Sequence, residues 1–375
     1  MIYLDYSANT PVDEAVLARF CEIERHCPGN ANSRHAAGAA AKAAIDEATQ
    51  SIARSLGVQP AEIIYTSGAS EANNFAIKSI ARLERHHGKH IISTPLEHSS
   101  VSGSLTALQE QGYEIDLVDI RQDGTVDLDH LKELLRPDTI LVAVTAVDSE
   151  LGVVQPVQEI AEILKDHPHC HLHVDATQAV GKIPVSFEGV DTMSLTAHKF
   201  YGLNGIGLLL KRRNLALEPL IHGGESTTIY RSGTPTVALA SSLALALELA
   251  VEQLPEHAEA VQKANAFLRT ELAKYPKVRI NSPENAIPHI LNLSVQDVKG
   301  TVFQRELNEE GVCVSVKSAC SSDGLPSRAV FAVSRDRRNA LSSWRVSLSH
   351  QTTEEDLRGF LAAFDRCYRG LTETK

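Results

Sequence analysis

Three short stretches of the sequence gather residue types that can do chemistry together. Thr66-Ser67-Gly68-Ala69-Ser70-Glu71 sets small and hydroxyl-bearing residues between an apolar run and an amphipathic one. At the start of a helix, such a turn offers backbone N–H groups and hydroxyls to an anion such as a phosphate. A Ser-rich N-cap with a glycine turn would look the same. In His171-Leu-His-Val-Asp-Ala-Thr-Gln178, Asp175 closes an apolar run and can pair with a protonated ring nitrogen or a metal. His167, His169, Cys170, His171 and His173 crowd that run. Imidazoles at alternate strand positions share a face but rarely converge on one ion, so no metal is expected. In Ser194-Leu-Thr-Ala-His-Lys-Phe-Tyr-Gly202, Lys199 follows another apolar run. A buried amine there is poised to attack a carbonyl and form a Schiff base, whereas in isolation it reads as a surface lysine in a turn. Further on, Cys320 precedes Ser-Ser-Asp-Gly-Leu-Pro-Ser, a polar loop suited to an exposed nucleophile. Cys313, between two valines, reads as a structural thiol.

The elements that must position these residues alternate. Apolar runs at 62–66, 89–94, 113–118, 139–147, 171–174, 192–196 and 205–210 read as strands. Helical patterns at 33–57, 70–87, 101–111, 128–135 and 156–165 lie before and between them. Strands separated by helices imply crossovers and a mostly parallel sheet covered on both faces. After Ser232 the rhythm changes to two long helices, 236–254 and 255–274, then shorter strands near 289–294, 312–316 and 344–348, a helix at 301–310 and a closing helix from 353. The expectation is a large α/β domain over 15–255 and a smaller α+β domain made of 1–14 and 256–375.

The chain has 375 residues, 43% hydrophobic and 22% charged, enough for a large core and against wholesale disorder. A net charge of −11 disfavours a polyanion as the main ligand. Six scattered cysteines without a C-x-x-C pair argue for reduced thiols rather than a disulfide scaffold. No signal peptide and no apolar run of about 18 residues is seen, so a soluble cytoplasmic protein without a membrane partner is expected. A phosphate cup, an Asp at a strand end and a Lys after the next strand are together what pyridoxal 5'-phosphate requires. His98, after the strand at 89–94, is the candidate to stack on its ring.

These blocks, in this order, resemble the class V, fold-type I pyridoxal-phosphate enzymes, and among them the cysteine desulfurases of NifS type. The resemblance runs from Tyr3 to about Glu355 and includes Glu97-His98, Glu150–Gln155, Arg231–Thr234, Ser318-Ala-Cys320 and Trp344–Ser347. It implies that Lys199 carries the cofactor and moves the substrate Cα proton, that Asp175 pairs with the ring nitrogen, and that Gln178 bonds the ring hydroxyl. His98 would stack and shuttle protons, and Ala69, Ser70, Thr196 and His198 would hold the phosphate. Ser149 would stand beside cofactor and substrate, Arg345 would clamp the substrate carboxylate, and Thr234 would reach a neighbouring subunit's phosphate in a homodimer. Cys320 would take sulfur from L-cysteine as a persulfide and pass it to an acceptor protein serving iron–sulfur cluster, thio-cofactor or tRNA synthesis. Nucleic acid is expected at most as tRNA through such an acceptor. A selenocysteine lyase, an aminotransferase or a weakly active relative is the alternative.

Four stretches depart from the family pattern. Asp148-Ser149 stands for Asn-Asn, Lys317 for a glycine before Ser318-Ala-Cys320, Leu203-Asn204 for Pro-Lys, and Glu225 for the third glycine after His222. The basic clusters Lys211-Arg-Arg213 and Arg335-Asp-Arg-Arg338 read chiefly as solvated surface, with docking of an acidic acceptor or tRNA as the other option.

Overall fold

The computed structural model describes residues 1–224, 226–317 and 325–373. Cys320 and Glu225 therefore lie outside the described residues.

Seven strands form the main sheet: β1 (Ile63–Thr66), β2 (His90–Ser93), β3 (Glu114–Leu117), β4 (Thr139–Thr145), β5 (His171–Asp175), β6 (Thr192–Thr196) and β7 (Gly207–Lys211). Their spatial order is β1-β7-β6-β5-β4-β2-β3. From β6 to β3 every pairing is parallel, whereas β7 runs antiparallel to both β6 and β1. Parallel strands must be joined by a crossover, and the link from β6 to β7 is too short to hold one, so that step reverses. Side chains along β4 alternate between two buried layers. Val142 and Val144 join Leu172, Val174, Met193 and Leu195 on one face. Leu141 and Ala143 join Ile91, Leu209, Phe75 and Ile80 on the other.

A second cluster forms around the antiparallel strands Val278–Ile280, Ile290–Val295 and Ser343–Ser347. Trp344 stacks on Phe303 at 5.1 Å between centroids, and Phe360 and Phe364 close the layer from the last helix, Glu354–Thr372. Leu4 joins this cluster because the strand Ile2–Tyr3 pairs with Val312–Cys313. Ala329, Val330, Ala332 and Ala340, far along the chain, pack instead with the large-sheet layer. No single helix among the described residues is long and apolar enough to cross a membrane.

Local signals place the elements that face the site. The helix Ala36–Leu56 stops at Gly57, whose φ of 65° is left-handed. The helix Ala69–Glu84 begins at Gly68, with φ 156° and no side chain capping its first turn. A Cβ on Gly207 would stand 2.7 Å from the Gly68 Cα and 2.6 Å from the Leu195 carbonyl oxygen. Glycine at 207 therefore lets β7 pass directly behind that turn.

Candidate active site

A cavity of about 330 Å³ opens where β1, β4, β5 and β6 end. Ala69, Ser70, His98, Ser149, Asp175, Gln178, Thr196, His198, Lys199 and Arg345 all line it. Thr234 lines a separate recess with Thr66, Ser67 and Arg231.

Asp175 is buried, and both of its oxygens are engaged. Thr177 N donates to Oδ1 at 3.0 Å and Asn73 Nδ2 to Oδ2 at 2.8 Å. The Asn73 amide is saturated, since its Oδ1 accepts from His173 Nε2 at 3.0 Å and from the Ser194 hydroxyl, while Nδ2 also donates to Ser100 Oγ at 2.9 Å. Burial pushes the His173 pKa down, so its ring is neutral, with one N–H given to Asn73 and Nδ1 left to the Thr192 hydroxyl at 2.9 Å. That donor and acceptor count leaves Asn73 one orientation, the one that donates to Asp175. The same network reaches His98, whose Nδ1 stands 2.9 Å from the Ser100 hydroxyl and 3.2 Å from the Ser100 amide. Burial lowers the His98 pKa as well, which keeps the ring neutral.

Sequence reasoning missed Asn73 and Ser100. For Asn73 a signal was present: it falls among Ala69, Ala72, Ala76, Ile77 and Ile80 on the buried side of one helix, a polar residue at apolar spacing.

Lys199 follows β6 on a single helical turn, Ala197–Lys199, and its Nζ donates to the carbonyls of Ser7 and Ala8 at 2.7 Å each. The Ser7 carbonyl also accepts from Gln178 Nε2 at 2.9 Å. Gln178 is held from behind, because Lys182 Nζ donates to its Oε1 at 2.9 Å. An amine donating to Oε1 turns the Gln178 Nε2 donor the other way, toward the cavity side. Burial, then Lys199 and Arg345, push the Lys182 pKa down to about 7. His198 falls to about 4, from burial first and then from Lys199 and Lys182.

Arg345 is almost fully buried on the strand Ser343–Ser347. It donates to the Ser149 carbonyl at 2.7 Å and to Asp5 Oδ1 at 2.9 Å, and Nε is buried without a partner. Ser149 thus meets Arg345 through its carbonyl, not its hydroxyl. Asp148 explains how that residue is delivered: its carboxylate accepts from the Glu150 and Leu151 amides and shapes the turn. Burial and the neighbouring Glu150 raise the Asp148 pKa to about 7. Next to His98, burial pushes Glu97 up to about 8, so its carboxyl is protonated at neutral pH while Oε1 accepts from Thr94 and Thr145.

Two of the basic residues considered for docking belong to the interior framework. Lys211 is buried and donates to the Arg212 and Leu215 carbonyls, while Arg212 caps the Val190 and Phe187 carbonyls.

The family model for aminotransferase class-V matches residues 2–360. The chain belongs to this family. It is 38% identical to a cysteine desulfurase IscS of Dictyoglomus turgidum, over 97% of this chain and 94% of that one. It is 36% identical to a NifS/IcsS protein homolog of Lactobacillus delbrueckii subsp. bulgaricus, over 98% and 97%. A solved NifS-like protein superposes with a TM-score of 0.93 at 34% identity, covering 99% of this class-V chain and 100% of its own. SspA in complex with cysteine superposes at 0.83 with 31% identity, covering 94% and 100%.

Proposed function

We propose that this class-V protein is a pyridoxal-phosphate-dependent cysteine desulfurase. On this reading it converts L-cysteine to L-alanine and loads the sulfur on Cys320 as a persulfide for an acceptor protein. The observation that carries the reading is Lys199 and Asp175 lining one cavity together with the uncapped start of the helix Ala69–Glu84. The full-length likeness to proteins named cysteine desulfurase favours it over an aminotransferase or selenocysteine lyase.

The residues present fit the cofactor. Ser7 Oγ and Thr177 Oγ1 line the cavity, buried and without partners, as polar atoms awaiting a ligand would be. The free N–H groups after Gly68, with the Ser70 and Thr196 hydroxyls and His198, suit a phosphate. Asp175 suits a protonated ring nitrogen, Gln178 Nε2 a ring hydroxyl, and His98 the ring face. Pyridoxal phosphate, when bound, supplies an electron sink for the pair left as the substrate loses its Cα proton. Lys199 would hold the cofactor and take that proton at its Nζ. Arg345 holds the substrate carboxylate. The Cys320 thiolate would attack the substrate sulfur: an S–S bond forms and the Cβ–S bond breaks with its electron pair left on carbon, a proton is added at Cβ, and return of the Cα proton by Lys199 completes alanine. The reading includes two domains, 15–255 and 1–14 with 256–375. It also includes a homodimer in which Thr234 serves the second subunit's site.

The test is the visible spectrum of purified protein with pyridoxal phosphate, followed by L-cysteine and a thiol reductant. A yellow protein that releases alanine and sulfide one to one is expected. A protein that stays colourless sinks the reading.

Two smaller effects follow from the geometry. Arg345→Lys should raise the KM for L-cysteine about a hundredfold, with a smaller change in kcat, because it replaces a planar two-edged donor and disturbs a buried ion pair. Lys182→Met frees the Gln178 amide to turn. It should move the pH midpoint of the visible band and weaken cofactor binding about tenfold, with Lys182→Arg in between.

A further inference from the structure

The histidines around 167–171 do not form a site along one strand, but the fold brings them a partner segment. The helix Ala69–Glu84 ends beside the start of β5, where Glu84, His86 and His87 meet His169 and His171. Glu84 Oε2 lies 2.6 Å from His87 Nδ1. The His86 and His87 ring centroids are 3.9 Å apart, and His87 stacks on His169 at 3.8 Å with 20° between the planes. One donor atom each from Glu84, His86 and His87 lies within 4.8 Å of the others. Donors around a transition ion at about 2.0–2.2 Å stand roughly 3.0–3.5 Å apart, so small side-chain rotations close the gap.

The carboxylate in this cluster is held from behind. His171 Nε2 is 3.5 Å from Glu84 Oε1, and its Nδ1 is 3.5 Å from Asp191 Oδ1. Asp191 is fixed in turn by the Leu172 amide, which donates to Oδ2 at 2.8 Å. A ligand oriented through an imidazole and a second carboxylate is the arrangement that raises affinity at metal centres.

We propose that Glu84, His86 and His87 form a binding site for a divalent transition ion of the zinc class, with the His169 ring stacked on His87 as its support and His171 and Asp191 orienting Glu84. Imidazole and carboxylate donors suit Zn²⁺ and exclude Mg²⁺ as the preferred ion. The site lies at the opening end of β5, whereas Asp175 closes that strand at the cavity. It stands independently of the desulfurase reading.

The experiment is equilibrium dialysis of chelator-treated full-length protein against ZnCl₂, with metal counted by mass spectrometry. A Cys320→Ser background removes a competing thiol. One equivalent of Zn²⁺ is expected, lost in His86→Ala/His87→Ala, kept in the remote control His26→Ala, and bound about tenfold more weakly in Asp191→Asn. Mg²⁺ at the same concentration should not be retained. An unchanged thermal midpoint of the metal-free double variant separates loss of ligands from loss of fold. The proposal is overturned if the parent takes up no equivalent, or if the equivalent persists in the double variant.

Discussion

Cys320→Ala should cut sulfide release from L-cysteine by more than about a thousandfold while leaving exchange of the Cα proton intact. The two steps use different parts of the chain. On the proposed reading, proton removal at Cα needs Lys199, Asp175 and His98; the network through Asn73 and Ser100 holds Asp175 and His98 in the cavity wall, and the Ser7 and Ala8 carbonyls hold Lys199. Sulfur removal needs a second nucleophile. The chain that carries Cys320 is tied to the cavity on both sides. Ser315 pairs backbone to backbone with Arg345 at 2.6 and 3.2 Å, and its hydroxyl donates to Asp5 at 2.7 Å. On the far side, the Ser327 hydroxyl donates to Glu150, next to Ser149. Five residues from Ser315 can span up to about 18 Å, a tether long enough for the proposed nucleophile to meet a substrate held by Arg345. The check is proton exchange of L-alanine in D₂O by NMR alongside a sulfide assay. Sulfide release by the variant at the parent rate would remove Cys320 from the reaction.

The parts of this site that are contiguous in the chain were legible in the sequence. Asp175 and Gln178 sit in one motif, and Thr66–Glu71 in another, because a strand end and the turn after it are local. Ten of the residues singled out share the cavity wall; Ser149 and Arg345, which come from distant segments, were named only through the family resemblance. The support behind them was not legible. Asn73 joins residues from four separate segments at 98–100, 173–175, 192–194 and its own helix, and nothing in any one segment announces the others. The Lys182–Gln178 contact was closer to hand, since the two lie four residues apart within one run of turns after Asp175.

The fold shows the same division. Strand positions followed from apolar runs, as with 139–147 against the buried Thr139–Thr145, whereas 113–118, read as a buried strand, forms a partly exposed edge, Glu114–Leu117. The reversed direction of β7 depended on a loop too short for a crossover, a constraint of length rather than composition. Lys211 shows where charge counting misleads. A lysine in a basic run reads as surface, yet the apolar run before it carries this one into the sheet, where two backbone carbonyls take its ammonium.

Lys199→Ala should abolish both steps, with sulfide release and Cα proton exchange each falling at least about a thousandfold. Among the described residues that line the cavity, no other amine can take over. Lys182 is the nearest alternative amine by chemistry, but it is buried behind Gln178 and committed to Oε1 at 2.9 Å. His98 and His198 are neutral rings that can accept a proton but cannot carry an aldehyde. Lys199→Arg keeps a cation facing the Ser7 and Ala8 carbonyls and should preserve the surroundings. Its guanidinium stays protonated and lacks a nucleophilic pair, so activity should be as low as in the alanine variant. The measurement is borohydride reduction of the loaded proteins followed by peptide mapping. A pyridoxyl label on the Lys199 peptide of the parent, and on no peptide of either variant, is the expected result. A label retained elsewhere with turnover intact would show that another amine does this work, and the assignment of Lys199 would fall.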